Sequence, residues 1–244
     1  MSLYIQIGGG VGNQDPSAGL KDGFMSFIRR SALAADDEVI VIEANPLLID
    51  RLRQSWSDCP QAKVLHLAIT ADDFLASSEI ELFYSQDDAP FYQISSTIKS
   101  HVEKFYPDSN ISSFKVPVLG INDFLSSFQD FSSIELLATD IEGLDTDVIG
   151  AIDLDRFSIY QLSFEKSHAK HHYQDLIKKL KQYGYRKAGM GMDPHNSDVL
   201  WIRPRTKLES LKCFFSNFFH FLWESQIPFR HKLKKYYFKT INWA

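Results

Sequence analysis

Cysteine is nearly absent from this chain. Cys59 and Cys213 are the only two in 244 residues, and they stand far apart. That excludes a disulfide framework and a cysteine-based zinc site, and a reducing compartment is expected. No apolar run approaches the ~18 residues of a membrane span. The first residues lack the basic segment and apolar core of a secretory leader, so a cytoplasmic protein is expected. With only 12 Gly and 9 Pro, and 44% hydrophobic against 23% charged residues, the composition excludes long disorder and reads as globular. The net charge is −5, so a uniformly basic nucleic-acid binder is excluded as well.

The small net charge hides an uneven distribution. Residues 205–244 hold eight Lys or Arg against Glu209 and Glu224, a net of +6. Residues 1–204 hold 18 basic against 29 acidic residues, a net of −11. Two parts with different tasks are expected, a main domain over 1–204 and an extension over 205–244.

Apolar periodicity divides the main part into alternating elements. Strands are predicted at Leu3–Ile7, Val39–Ile42, Lys63–Ile69, Glu79–Tyr84, Phe114–Leu119, Ile134–Asp140 and Phe157–Phe164, with a closing hairpin of Tyr185–Met190 and Val199–Arg203. Helical spacing is seen over Asp22–Ala35, Leu47–Trp56, Asn122–Phe128, Leu144–Ile152 and His171–Tyr183. Gln86–Ser113 lacks a strong period and is expected to be a long, partly irregular insertion that carries function. The alternation implies an α/β fold with a doubly wound, mostly parallel sheet, whose ligands bind beyond the carboxyl ends of the strands.

The residues after each strand are therefore the informative ones. The first strand ends in Gly8-Gly9-Gly10-Val11-Gly12. The dinucleotide pattern G-x-G-x-x-G fails from Gly8, because Asn13 stands where the third glycine belongs. The spacing present is G-x-G-x-G at Gly8, Gly10 and Gly12, associated with S-adenosylmethionine. Glycines there let the backbone pass close to an adenosyl-amino-acid. Glu43 closes the second strand, where a carboxylate accepts hydrogen bonds from ribose hydroxyls. Ala68 at the third strand's end suits the floor under an adenine ring. Asp140-Ile141-Glu142-Gly143 follows the Ile134–Asp140 strand, and its acids can hold an ammonium group, deprotonate a hydroxyl or bind a metal. Glu142 and Asp145 also suit the first turn of a helix. Glu165 and His168 leave the next strand at the same rim, His168 as a candidate general base.

The segments IGGGVGN, VIVIEANPLLIDRL, LHLAIT, VPVLGINDFL, LLATDIEGLDTDVIGAI and LSFEKSH stand in the order found in FkbM-type S-adenosylmethionine-dependent methyltransferases. The chain resembles that family from about Leu3 to Pro204, most specifically at DIEG. The resemblance implies a Rossmann-like class I methyltransferase with a seven-stranded sheet. It implies S-adenosylmethionine at Gly8, Gly10, Gly12 and Glu43, Asp140 bordering the methyl group, and Glu142, Glu165 and His168 on the acceptor side. Three positions depart from the family's texture: Gln6 replaces an acid before the loop, Ala44 a proline, and Thr139 a lysine.

The expected reaction is O-methylation of a hydroxyl on a small-molecule or carbohydrate acceptor, with no resident metal. A metal-assisted variant would draw on Asp140, Glu142, Glu165 and His168. Two alternatives are a nicotinamide-dependent oxidoreductase and a non-catalytic cofactor-binding descendant of the same fold. Tyr92, Ser95, Ser96 and His101 of the insertion are candidates for the acceptor pocket. In the extension, 11 of the last 40 residues are aromatic. A helix over Leu211–Trp223 would align Leu211, Phe214, Phe215, Phe218 and Leu222 on one face. That face is expected to dock on the main domain or a second subunit, or to contact an anionic membrane surface.

Overall fold

The computed structural model describes residues 1–13, 22–71, 78–89, 92, 94–141, 143–166, 173–192 and 198–224, with side chains to residue 217 in the last segment. In chain order, β1 (Ser2–Ile7) leads to α1 (Gly23–Arg30), β2 (Glu38–Glu43), α2 (Ile49–Ser55), β3 (Ala62–His66) and β4 (Ala68–Thr70). Then come β5 (Glu79–Ser85), β6 (Ser95–Ser96), α3 (Lys99–Phe105), β7 (Ile111–Gly120) and α4 (Ile121–Ser126). The remainder is β8 (Ser133–Thr139), α5 (Asp145–Ala151), β9 (Ile159–Glu165), α6 (Tyr173–Gln182), β10 (Arg186–Met190), β11 (Asp198–Ile202) and α7 (Lys207–Glu224).

Seven strands form the main sheet in the order β10-β11-β9-β8-β1-β2-β3. The five from β9 to β3 are parallel, and β11 and β10 close the edge antiparallel. Both faces are covered, which is why β2 reads as an unbroken apolar run rather than an alternating one. On one face Ile5, Ile7, Ile40, Ile42 and Leu137 pack with Phe124, Val148, Ile149, Leu176 and Leu180 of α4, α5 and α6. On the other, Val39, Val41, Leu136 and Ala138 meet Phe24, Met25 and Ile28 of α1 and Leu52 and Trp56 around α2. The doubly wound sheet is as expected.

Lys63–Ile69, read as one strand, is two. The run breaks at Leu67; β3 stays beside β2, while β4 pairs with β7 through Ala68, Ile69 and Thr70. One apolar stretch thus serves two sheets, and periodicity carries no mark of the handover. The second sheet has four strands in the order β4-β7-β5-β6. The predicted strands Glu79–Tyr84 and Phe114–Leu119 belong to it, pairing antiparallel from Glu79 with Pro117 to Ser85 with Ile111. The Gln86–Ser113 insertion is more regular than its sequence implies, since it holds a 3-10 turn at Gln86–Asp88, β6, α3 and the start of β7.

The extension begins as a helix, and the face it packs on the main domain is not the aromatic one. Cys213 and Ser216 are buried against β10, where the Ser216 hydroxyl and the Asn217 amide donate to the carbonyls of Ala188 and Lys187. Leu211, Phe214 and Phe215 point outward, with Phe214 62% exposed. Small and polar residues let the helix approach the edge strand closely, and the bulky aromatics are left on the far side. Phe218 and Leu222 lie where side chains are not described. Among the described residues no helix is long and apolar enough to cross a membrane.

Candidate active site

The chain leaves β1 outward to β3, then returns on β1's other side at β8. That reversal makes a crevice at the carboxyl ends of β1 and β8. A cleft of about 740 Å³ opens there, a volume usual for a small-molecule site.

The glycine loop forms its floor. Gly8, Gly10 and Gly12 have φ of +87°, +53° and +60°, conformations that L side chains rarely adopt. A Cβ on Gly8 would stand 1.9 Å from the Asp140 carbonyl oxygen, so only glycine lets the loop cross that closely. The Gly8 and Gly9 N–H groups both donate to the Ile42 carbonyl at 2.9 Å, and Gly10 N–H donates to Glu43 Oε2 at 2.7 Å. Asp140 N–H donates to the Ile7 carbonyl at 2.9 Å. Three strand exits are thereby pinned together: the loop, Glu43 and Asp140.

Glu43 is 8% exposed and also accepts Asn45 N–H at 2.7 Å on Oε1. Burial pushes its carboxyl above the usual carboxylate range, and the backbone donors oppose that shift. Each oxygen retains a second lone pair with which to accept from a diol. Ala68 lines the wall beside it, and Glu165 lies farther along the cleft. Tyr92, Ser95, Ser96 and His101 line the same cleft from the small-sheet side. Tyr92 adopts a φ of +44°, an uncommon conformation for a bulky residue. Glu142 and His168 lie outside the described residues.

Gln6, which stands in the sequence in place of an acid, belongs here with three residues that the sequence left without a site role. Gln6 lines the cleft, and its amide donates to Asp22 Oδ2 at 3.2 Å. Asp22 caps α1, accepting Met25 N–H at 2.9 Å, and faces the same space. Asp198 lines the cleft and sits across from Glu165 in the β11–β9 register. Asp145 is 1% exposed and accepts the N–H groups of Ile141 and Gly143 at 3.3 and 3.4 Å, with the Thr139 hydroxyl beside it. It therefore holds the turn that presents Asp140. Spacing alone marks Asp145 as a helix-start acid; its inward aim is seen only in the backbone bonds it accepts.

Burial raises the carboxyls of Asp22, Glu43 and Asp145 alike. A raised folded-state value means the native chain keeps protons that the unfolded chain releases above about pH 4. Stability contributed by these groups therefore falls as pH climbs from that range through their folded values. Glu43→Gln should lose part of this dependence, so the melting temperatures at pH 5 and pH 8 converge relative to wild type. Thermal melts at the two pH values check this.

The cleft's charge is one-sided. Asp22, Glu43, Asp140, Glu165 and Asp198 line it, and no Lys or Arg does among the described residues. The Gln6 Oε1 atom is buried without a hydrogen-bond partner there, a further acceptor with nothing donated to it. Such a lining suits a ligand carrying positive charge and N–H donors. S-adenosylmethionine has both, in its sulfonium and its ammonium, together with a ribose diol for Glu43. Among the described residues no group of three or more His, Cys, Asp or Glu converges as a metal site.

No curated protein matches the chain in sequence. Among solved structures, the Aeropyrum pernix fibrillarin in complex with natively bound S-adenosyl-L-methionine aligns at 9% identity and TM-score 0.38, over 82% of this chain and 64% of that one. The METTL16 methyltransferase domain aligns at 9% identity and TM-score 0.40, over 83% and 61%. A TehB-like methyltransferase from Corynebacterium glutamicum aligns at 11% and 0.33, over 83% and 80%. The chain thus spans less than two thirds of the fibrillarin and METTL16 chains. The methyltransferase FkbM domain matches residues 11–187, from within the glycine loop to β10. That stretch is most of the chain and contains Glu43, Ala68, Asp140 and Glu165, so the protein belongs to the FkbM family of methyltransferases, whose cofactor is S-adenosylmethionine.

Proposed function

We propose that the chain transfers a methyl group from S-adenosylmethionine to a hydroxyl of a small-molecule or carbohydrate acceptor. The carrying observation is the cleft lined by five carboxylates and no described Lys or Arg. Bound there, the cofactor supplies an electrophilic methyl group on a sulfonium. A dinucleotide would instead bring an anionic pyrophosphate into this lining, which counts against the oxidoreductase alternative.

The chain's own residues divide the work. The glycine loop and Glu43 hold the adenosyl end and fix its distance from Asp140. Methyl transfer is an in-line displacement, so such positioning supplies much of the rate. A hydroxyl nucleophile must also lose its proton, and Asp140, exposed at the switch point, is placed to accept it. The wall formed by Tyr92, Ser95, Ser96 and His101 offers hydroxyl and ring surfaces to a polyhydroxylated acceptor. Incubation with labelled cofactor and a panel of sugars, polyols and phenols should give labelled methyl ethers that survive mild base. Base-labile label would mark ester formation on carboxylates and overturn the hydroxyl assignment.

We also propose an anionic lipid surface as the contact of the extension. Leu208, Leu211, Phe214 and Phe215 face solvent on α7. The 20 residues that follow the helix carry five Lys or Arg, five aromatics and no acid. Basic and aromatic residues together suit the headgroup region of an acidic membrane. The full chain should pellet with phosphatidylserine-containing vesicles at low salt and leave them at ~0.5 M salt, where screening shortens to a few ångströms. Equal pelleting with neutral vesicles, or none with either, would contradict this.

A further inference from the structure

The family texture has an acid where Gln6 stands, and an amide cannot neutralise a bound ammonium. The structure supplies a carboxylate at the same place from another element. We propose that Asp22, held by Gln6, is the acid that receives the α-ammonium of S-adenosylmethionine, the charge having moved from β1 to the cap of α1. This rests on the cofactor reading given above.

Four observations converge on Asp22. Its Oδ1 accepts Met25 N–H at 2.9 Å, with Phe24 N–H a further backbone donor to the carboxyl, and Oδ2 accepts a long 3.2 Å bond from the Gln6 amide. The same amide presents Oε1, buried and unpartnered among the described residues, on a side chain 8% exposed. An ammonium has three donors, and these two oxygens on adjoining groups would accept two of them. Asp22 is itself fixed in place, since its N–H donates to Asn13 Oδ1 at 2.8 Å and ties it to the end of the glycine loop. Finally, no described cation faces it across the cleft, and Arg29, whose charge favours the ionised carboxylate, is paired with Asp58 on the surface.

Burial raises the Asp22 carboxyl, so its ionised form lacks full compensation in the free protein. A cation delivered by the ligand would supply it. Gln6 then acts as a positioning residue: its N–H group orients the carboxylate, and its carbonyl completes the ammonium's coordination.

Calorimetry with two ligands separates this from a structural role. The ligands are S-adenosylhomocysteine and its deaminated analogue, which keeps the adenosine, the thioether and the carboxylate. Asn caps a helix as well as Asp does, so Asp22→Asn should melt within about 2 °C of wild type. That variant should bind S-adenosylhomocysteine at least tenfold more weakly, with the deaminated analogue within twofold of its wild-type affinity. The exchange Gln6→Glu/Asp22→Asn, which returns the acid to β1, should recover most of the lost affinity. Equal weakening of both ligands, or unchanged S-adenosylhomocysteine affinity in Asp22→Asn, would overturn the proposal. A wild-type protein that binds neither ligand would overturn the cofactor reading itself, a result distinguishable from both.

Discussion

Asp140→Asn should lower S-adenosylhomocysteine formation with a hydroxyl acceptor by about 10²–10⁴-fold, the usual share of a general base. The substitution preserves shape and leaves the backbone bond from Asp140 N–H to the Ile7 carbonyl in place. The melting temperature should therefore stay close to wild type, because the Asp140 side chain is exposed. Cofactor affinity should change far less than turnover if the carboxylate's main work is on the acceptor's proton. Full activity in this variant would remove Asp140 from the chemistry, leaving Glu165 as the described rim carboxylate that sequence reasoning also selected.

Gly8→Ala should have the largest effect on the fold. At φ +87° an L residue is strained by roughly 1–2 kcal/mol. The added Cβ would also stand 1.9 Å from the Asp140 carbonyl, a backbone atom that moves only if β8's exit moves. Together the two effects should cost at least about 3 kcal/mol, and a chain of this size loses roughly 2–4 °C per kcal/mol. A fall of at least about 6 °C in melting temperature is expected, with loss of S-adenosylhomocysteine binding. Gly10→Ala serves as the comparison: its φ is +53°, but nothing lies within 4 Å of the added Cβ, so the drop should be smaller. Equal drops for both would mean that the crossing of loop and strand exit is not what demands glycine.

The site was legible in the sequence wherever local backbone geometry demanded a residue type. Gly8, Gly10 and Gly12 are glycines because their φ angles are positive, and Glu43 and Asp140 are marked by ending apolar runs. Strands buried on both faces announced themselves in the same way. The parts that escaped depend on contacts between distant segments. Leu67 hands the chain from one sheet to another, but nothing local distinguishes it from a residue within a strand. The aromatic stripe of α7 resembled a docking face, yet the smaller Cys213 and Ser216 made the closer approach to β10. In the sequence Asp22 is only the first residue of a helical stretch; in the fold it caps α1. Its second role follows only when Gln6 is seen beside it. The Gln6 departure, read from the chain alone, left a missing charge; the fold brings one from 16 residues away.

Thr139 ends β8 just before the turn that Asp145 holds. In place of a lysine, the threonine puts a hydroxyl beside the buried Asp145 carboxyl, which also gathers the N–H groups of Ile141 and Gly143.

The acidic lining of this cleft favours a sulfonium cofactor over a pyrophosphate-bearing one. Titration calorimetry of the full chain with S-adenosylmethionine and with reduced nicotinamide dinucleotide tests it most directly. One S-adenosylmethionine per chain should bind, with no heat from the dinucleotide and with Glu43→Ala losing most of the affinity. Dinucleotide binding at comparable strength, or no binding of S-adenosylmethionine, would contradict the account.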